Sequence, residues 1–238
     1  MNPFNTTVRK NRLLQKCGDI KSQPVLERAI AAFKLYGMGK DPLGFVFNHC
    51  PTLNRQIPKW ERLPMWAYLE DIVISMFYQP RNSELFIDKT RKLVVTTCVY
   101  CVSPIYECTM MQNQSVLWTG QNKDSTTNLY NQYIKETIRE VDIPLLPMYE
   151  TADTLEVPYL KTHFFTSPEG IAHFTGPEYT RVIMDEWTYQ KHQDMIMLKA
   201  PDTTRHGRRV KIMTPVGGTI ADEERHEDER ELEKESAW

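Results

Sequence analysis

Residues 84–102 read ELFIDKTRKLVVTTCVYCV, and this stretch decides which fold the sequence favours. It contains two apolar runs, 84–87 and 93–102, which flank the polar segment 88–91. Both runs are rich in β-branched and aromatic residues, which are typical of strands. They therefore predict an antiparallel hairpin that turns at 88–91. A helix that begins at Ser83 is the alternative interpretation.

Helical periodicity surrounds this stretch on both sides. Apolar spacing predicts helices over 22–36, 65–78 and 127–141, and a last, longest helix over 177–200. Residues 40–64 and 143–176 are punctuated by proline and predict irregular chain. The predicted fold class is α+β and predominantly helical, with three to four helices and a small antiparallel β element. Long Pro-rich irregular connections and a charged C-terminal extension complete it.

Charge divides the chain into three parts. The 238 residues carry a formal net charge of −2. Residues 222–235 contain nine acidic and three basic residues, whereas the first 18 residues contain four basic residues and no acid. Charge blocks of this kind mark solvated tails or docking segments. We therefore predict a basic N-terminal arm at 1–21, one globular core at 22–200 and a C-terminal extension at 201–238 that is basic and then acidic.

Composition indicates a folded, soluble protein. Apolar residues make up 41% of the chain and charged residues 25%, values at which a hydrophobic core can form. No apolar run reaches the roughly 18–20 residues that a membrane span needs, so no transmembrane segment is expected. The N-terminal bases are not followed by the apolar segment of a secretory signal, which argues against secretion. Their acid-free setting instead predicts a mitochondrial location, with the cytoplasm or nucleus as alternatives.

The five cysteines include the pair Cys98 and Cys101, with Cys108 seven residues further on. An odd number of thiols without an export signal indicates a reducing compartment. These three residues are weak candidates for a metal site, because side chains at i and i+3 of a strand point to opposite faces. Buried structural thiols are the favoured interpretation.

Catalytic motifs are absent from the sequence. The patterns GxGxxG, GxxxxGK[ST], GxSxG and HExxH do not occur. Residues 37–40 read GMGK, but their spacing is not that of a phosphate loop, and the following Asp41 would repel phosphate. His173 and Glu169, with His163 nearby, form a possible acid–base pair, although histidines that pack near aromatic rings explain the pattern equally. We predict no catalytic residue and no cofactor.

These observations predict a non-catalytic accessory subunit of a large assembly, for example a mitochondrial respiratory complex or ribosome. Other protein subunits, with incidental RNA contact, are the expected partners, and membrane-surface contact stays open. The alternatives are an RNA-associated protein, cellular or viral, and an enzyme that uses a thiol or a histidine. The residues expected to bind partners are the basic ones near both termini: Arg9, Lys10, Arg12, Lys16, Arg205, Arg208, Arg209 and Lys211.

Overall fold

A mixed β-sheet of seven strands organises the part of the chain that the computed structural model describes, which is residues 40–54, 59–89, 94–142, 145–167, 178–190, 193 and 207–214. A two-stranded antiparallel sheet lies apart from it. The strands are β1 Pro51–Asn54, β2 Lys59–Arg62, β3 Glu84–Asp88, β4 Ser115–Thr119, β5 Tyr149–Glu150, β6 Thr154–Val157, β7 Thr162–Ser167, β8 Arg181–Met184 and β9 Arg208–Met213.

The seven strands lie in the order β3-β9-β8-β4-β7-β6-β5. The first five run parallel to one another, whereas β6 pairs antiparallel with β7 and β5 antiparallel with β6. Strand β1 pairs with β2 in the small sheet. Parallel strands need long crossover connections, which usually contain a helix. This arrangement is an α/β fold.

Short helices occupy the connections between strands. The α-helices are α1 Pro42–Gly44, α2 Ala67–Tyr78, α3 Val95–Tyr100, α4 Glu107–Met110, α5 Lys123–Leu129 and α6 Lys135–Glu140. Wider π-helical turns follow two of them, at Phe45–His49 and Tyr130–Ile134, and a kinked segment with extended backbone at Ser103 follows α3 at Cys101–Tyr106. Turns of the 3₁₀ type lie at Pro158–Leu160 and Trp187–Tyr189. Asn122 caps α5, because its side-chain carbonyl accepts the backbone N–H of Ser125 at 2.9 Å.

The hydrophobic core has a part on each face of the sheet. One face presents Trp118 and Val210, which belong to a large cluster with residues of α2, α3 and the chain around α1. The other face presents Leu117 and Val182, which form a smaller cluster with Trp187. Strand β8 is buried at every position, as expected of a central parallel strand that is covered on both sides.

A buried ion pair connects the sheet to the helices. Arg181, the first residue of β8, and Glu107, the first residue of α4, have side chains that are 1% and 2% exposed. The Arg181 Nε donates to both carboxylate oxygens of Glu107 at 3.0 Å, and Nη2 donates to the main-chain oxygen of Met76 at 2.8 Å. The remaining nitrogen, Nη1, donates to Gln79 Oε1 at 2.7 Å. The end of α2, the start of α4 and the start of β8 are therefore held by one guanidinium group.

The predicted α+β, mainly helical fold class is wrong. A mixed seven-stranded sheet, five strands of it parallel, replaces the small antiparallel element. The predicted hairpin fails at its second half, because 95–100 form helix α3, and β3 pairs with β9 instead. The β-branched residues of α3 accept a helix because they are packed beneath the sheet, and burial outweighs their weak helix propensity.

The longest predicted helix is also wrong. Residues 181–184 of the predicted span 177–200 form strand β8, and 187–189 form a 3₁₀ turn. Strand β9 lies at 208–213, so the folded core continues beyond residue 200. The helix predicted over 65–78 is confirmed by α2. The helix predicted from Thr127 begins earlier, at Lys123.

Other predictions of this kind concern residues outside the described ranges. The N-terminal arm, the helix over 22–36 and the acidic part of the C-terminal extension belong to this group. In the described segments, no helix combines the length and the apolar character needed to cross a membrane.

Candidate functional site

The carboxyl ends of the parallel strands meet at one edge of the sheet. Strands β4 and β8 are neighbours in the sheet. After β4 the chain builds β5, β6 and β7 on one side of this pair, and after β8 it builds β9 on the other side. Ligands of open α/β sheets bind at such a switch point, outside the carboxyl ends of the strands. Asp185 and Glu186 follow β8 there, Gly120 follows β4, and Lys89 follows β3.

Lys89 is the centre of a polar cluster at this edge. Its ammonium nitrogen lies 2.8 Å from Thr96 Oγ1, 2.9 Å from Asp185 Oδ1 and 3.0 Å from Glu186 Oε1. The side chains of Lys89 and Asp185 are 10% and 12% exposed, whereas that of Glu186 is 36% exposed. The cluster therefore combines one basic, two acidic and one hydroxyl side chain from three separate elements.

The main chain fixes the position of Asp185. Its backbone N–H donates to the carbonyl of Thr119 at 2.9 Å, and its carbonyl accepts the side-chain amide of Gln190 at 2.8 Å. Asp185 Oδ1 also accepts the backbone N–H of Glu186 at 3.0 Å. Glu186 has a φ of 52°, in the left-handed region, which turns the chain sharply after β8. The two acidic side chains are thus held at the strand end by backbone contacts.

Burial and the neighbouring charges shift the pKa values of Lys89 and Asp185 in opposite directions. Burial alone would lower the pKa of Lys89, but the carboxylates of Asp185 and Glu186 outweigh it and raise that pKa above its ordinary value. Burial raises the pKa of Asp185, and the neighbouring Lys89 offsets part of the rise. The ammonium of Lys89 is therefore charged at neutral pH and stabilised by its acidic partners.

The connection from β3 to α3 has the length of a phosphate-binding loop. Such a loop reads GxxxxGK[ST] between a strand and a helix. The eight residues 89–96 read KTRKLVVT, so Thr96 stands at the Ser/Thr position and Val95 at the lysine position. Val94 stands at the second glycine and has a φ of 52°, the left-handed conformation that glycine adopts at little cost. The loop therefore lacks both motif glycines and the motif lysine, and its one lysine at a described position is Lys89, at the opposite end.

A cavity of about 420 Å³ opens beside the cluster. Its wall includes Lys89, Thr96, Gly120, Gln121, Asp185 and Glu186. The remaining wall is formed by residues of α3 and α5 together with Trp118 of β4 and Tyr133 of the turn that follows α5, and it adds hydroxyl, amide and aromatic side chains. The volume lies within the range of about 300–1,000 Å³ that small-molecule sites occupy. The strand-end cluster is therefore open to a ligand.

The candidate metal residues lie elsewhere and are buried. Cys98 and Cys101 lie on one helical segment, not in a strand, and Cys98 Sγ contacts the carbonyl of Leu69 at 3.7 Å. Cys108 Sγ contacts the carbonyl of His163 at 3.8 Å. Burial raises the pKa of Cys98 to about 12 and also raises that of Cys101. In the described ranges, no group of three or more His, Cys, Asp or Glu side chains converges as a metal site.

Three of the basic residues predicted to bind partners lie in β9. Arg208 Nε donates to the carbonyl of Gln79 at 2.6 Å, and Arg209 pairs with Glu84. Lys211 is 2% exposed and lies 2.9 Å from the same Glu84 carboxylate. These contacts with Gln79 and Glu84 stabilise the sheet. Arg205 and the four basic residues of the N-terminal arm lie outside the described ranges.

Of the residues in the predicted acid–base arrangement, only His163 belongs to the described ranges. His163 lies 3.5 Å from Glu156 with both side chains well exposed, and it stacks on Phe165. His173 and Glu169 lie outside the described ranges. Sequence reasoning missed Lys89, Thr96, Asp185 and Glu186. The available signal was the apolar run 182–184 followed directly by two acids, the pattern of a strand that ends in a metal-binding aspartate.

Solved structures share this fold. The HK97 bacteriophage large terminase matches with a TM-score of 0.56 and 13% identity, over 74% of this chain and 37% of that protein. A mutant of a Thermus phage large terminase ATPase domain matches with a TM-score of 0.51 and 13% identity, over 67% of this chain and 68% of that one. This chain thus spans little more than a third of the HK97 protein. No protein-family model matches the sequence, and no curated protein does.

The prediction of a non-catalytic accessory subunit without enzyme activity is therefore wrong. The sheet has the fold seen in two phage large-terminase structures, one of which is an ATPase domain. The prediction rested in part on the missing catalytic motifs, the phosphate-loop motif among them. The loop departs from the motif in its residues, whereas the strand–loop–helix frame and the carboxylates are present.

Proposed function

We propose that this chain is an ATPase domain of the large-terminase kind, which binds a nucleoside triphosphate at the Lys89 cluster. The observation that carries the proposal is the convergence of Lys89, Thr96, Asp185 and Glu186 at the carboxyl edge of the sheet. The likeness to two terminase ATPase folds supports the choice of ligand. For the whole protein, the corresponding proposal is that it works on DNA as part of a larger motor.

Lys89 takes the phosphate-binding role in this proposal. In an ordinary phosphate loop the lysine reaches the β- and γ-phosphates, but Val95 stands at that position and is 4% exposed. Lys89 lies at the other end of the loop with its ammonium next to Thr96. A lysine side chain is long and flexible, with three rotatable donors. It can therefore turn from the carboxylates to phosphate oxygens that enter the cavity.

The oxygen donors suit Mg²⁺. Phosphate-loop enzymes hold this ion with the loop Ser/Thr and the aspartate after the neighbouring strand, which correspond to Thr96 and Asp185. Mg²⁺ is bound through one or two carboxylates together with substrate phosphates, so no larger acidic cluster is required. When bound, the ion neutralises charge that develops on the phosphate oxygens.

Glu186 is the residue that would activate water. Its carboxylate lies next to Asp185 and is more exposed, so a water molecule can reach it from the cavity. The water oxygen forms a bond to the γ-phosphorus, and the bond from that phosphorus to the bridging oxygen breaks. The electron pair leaves with the diphosphate, and Glu186 accepts the proton of the water. Lys89 neutralises negative charge on the phosphates.

Nucleotide binding and hydrolysis by the full chain test the proposal. Fluorescent ATP with Mg²⁺ should bind, and phosphate release should be measurable. Glu186→Gln should keep binding and lower turnover by about 100-fold or more, the usual worth of a general base. Lys89→Met should weaken binding by about 10–100-fold, since a charged hydrogen bond contributes about 1.5–3 kcal/mol.

Matched controls are available on the surface. Lys59→Met removes an ammonium whose side chain is 71% exposed, and Glu156→Gln removes a carboxylate that is 46% exposed. Both should leave binding and turnover unchanged. Failure of the wild-type chain to bind any nucleoside triphosphate at millimolar concentration would contradict the proposal.

A further inference from the structure

Lys89 occupies the oxygens that a divalent cation would use. Its nitrogen lies within 3.0 Å of Thr96 Oγ1, Asp185 Oδ1 and Glu186 Oε1. An ammonium group has three N–H donors, so these three contacts satisfy it completely. Two of the three oxygens belong to the residues that would hold Mg²⁺ in the proposed function.

Asp185 Oδ1 has little capacity left for another ligand. Besides Lys89, it accepts the backbone N–H of Glu186 at 3.0 Å and lies 3.4 Å from Thr96 Oγ1. A cation that binds this oxygen must displace the ammonium or sit beside it. The second case places two positive charges a few ångströms apart in a site whose lysine and aspartate are nearly buried.

A ligand with phosphate groups resolves the conflict. Phosphate oxygens give the ammonium new acceptors and add negative charge, so Lys89 can leave Asp185 without losing its partners. The freed carboxylate and hydroxyl then become available to the metal. Each ligand thereby improves the site for the other, as any thermodynamic coupling between two ligands requires.

We propose that Lys89 is an internal counter-ion that keeps divalent cations out of the empty site, so that the metal enters only together with the polyphosphate. The proposal rests on the proposed function in the choice of ligand. It adds a binding property of the nucleotide-free chain: the three oxygens are closed to a metal ion while the ammonium is in place.

Binding of Mn²⁺ alone, without nucleotide, tests this directly. Electron paramagnetic resonance of free Mn²⁺ should show little uptake by the wild-type chain. Lys89→Gln removes the positive charge but keeps a polar side chain, and it should bind Mn²⁺ at least 10-fold more tightly. The double variant Lys89→Gln/Asp185→Asn should lose that gain, which locates the ion at Asp185. Lys59→Gln, at an exposed lysine, should behave like the wild type.

Several outcomes would overturn the proposal. Stoichiometric Mn²⁺ uptake by the wild type, or equal affinities of wild type and Lys89→Gln, would show that Lys89 does not compete with the ion. Because the wild-type measurement needs no substitution, stoichiometric uptake there overturns the proposal even if Lys89→Gln does not fold; circular dichroism establishes whether that variant folds. If nucleotide binds normally but wild type and Lys89→Gln have equal Mn²⁺ affinities, only the counter-ion proposal is overturned. Absence of nucleotide binding together with absence of Mn²⁺ uptake by every variant would overturn both proposals.

Discussion

The ion pair between Arg181 and Glu107 provides the sharpest test of the fold. Arg181→Met keeps the length and packing of the side chain but removes five hydrogen bonds. Glu107 then stays buried, and the hydroxyl of Ser103 still donates to it at 2.6 Å. Removing one partner of a buried pair costs about 3–5 kcal/mol, because the other charge is left without compensation.

Urea unfolding measures this cost. A chain of this size has a slope of about 2–3 kcal/mol per molar urea, so the midpoint should fall by about 1–2.5 M. Glu107→Gln should also destabilise the chain. The double variant Arg181→Met/Glu107→Gln should recover part of the loss, with a coupling of about 1–3 kcal/mol.

An exposed pair gives the control. Arg139 and Glu150 lie 3.4 Å apart, and the Arg139 side chain is 64% exposed. Arg139→Met should cost less than about 1 kcal/mol, as exposed ion pairs do. If Arg181→Met costs no more than Arg139→Met and the double variant shows no coupling, the argument from burial is refuted.

Three further predictions concern single sites. Gly207→Ala should destabilise the chain by about 1–3 kcal/mol. The added Cβ would lie 2.3 Å from the main-chain oxygen of Tyr179. A urea midpoint equal to that of the wild type would contradict this prediction. Burial raises the pKa of Glu84, but Lys211 and Arg209 outweigh it and lower that pKa; Glu84 therefore stabilises the fold above its unfolded pKa and loses this effect as the pH falls through the folded pKa. The stability deficit of Glu84→Gln, followed by urea unfolding, should accordingly be present at pH 7 and vanish in acid, and a constant deficit would count against the ion pair. The four described cysteines are buried. Cys17→Ser leaves only these four thiols, so the variant should react with a thiol reagent only on unfolding. Rapid reaction of the native variant would disprove their burial.

Much of the local structure was predictable, and the sheet was not. Helix α2 follows from its apolar periodicity, and strand β3 follows from its β-branched and aromatic residues. Strand β8 was mistaken for a helix because a strand buried on both faces shows a continuous apolar run without alternation. Such runs cannot be assigned by periodicity alone. Their pairing depends on contacts such as that of β8 with β4, which lie far apart in the sequence.

The candidate site was hidden for a different reason. A motif search asks for glycine and lysine at fixed positions, and this chain has Val94 and Val95 there. Glycine suits this position because the backbone turns into the left-handed region, and Val94 makes that turn nevertheless. Asp185 and Glu186 could have been found from the two acids that end an apolar run, but only if that run had been assigned as a strand.

The loop at residues 89–96 separates two properties that the usual phosphate-loop motif places side by side. The backbone turn at Val94 is a strained conformation for a β-branched residue, which costs about 1–2 kcal/mol that glycine would not incur. It persists because Val95 is buried and begins α3, so tertiary packing holds the turn. The positively charged side chain stands at the end of β3 instead. There the backbone N–H of Lys89 donates to the carbonyl of Met213 at 2.8 Å. Lys89 is thereby fixed to the sheet and faces the Asp185 carboxylate at 2.9 Å, which is the position that its proposed response to phosphate and metal requires.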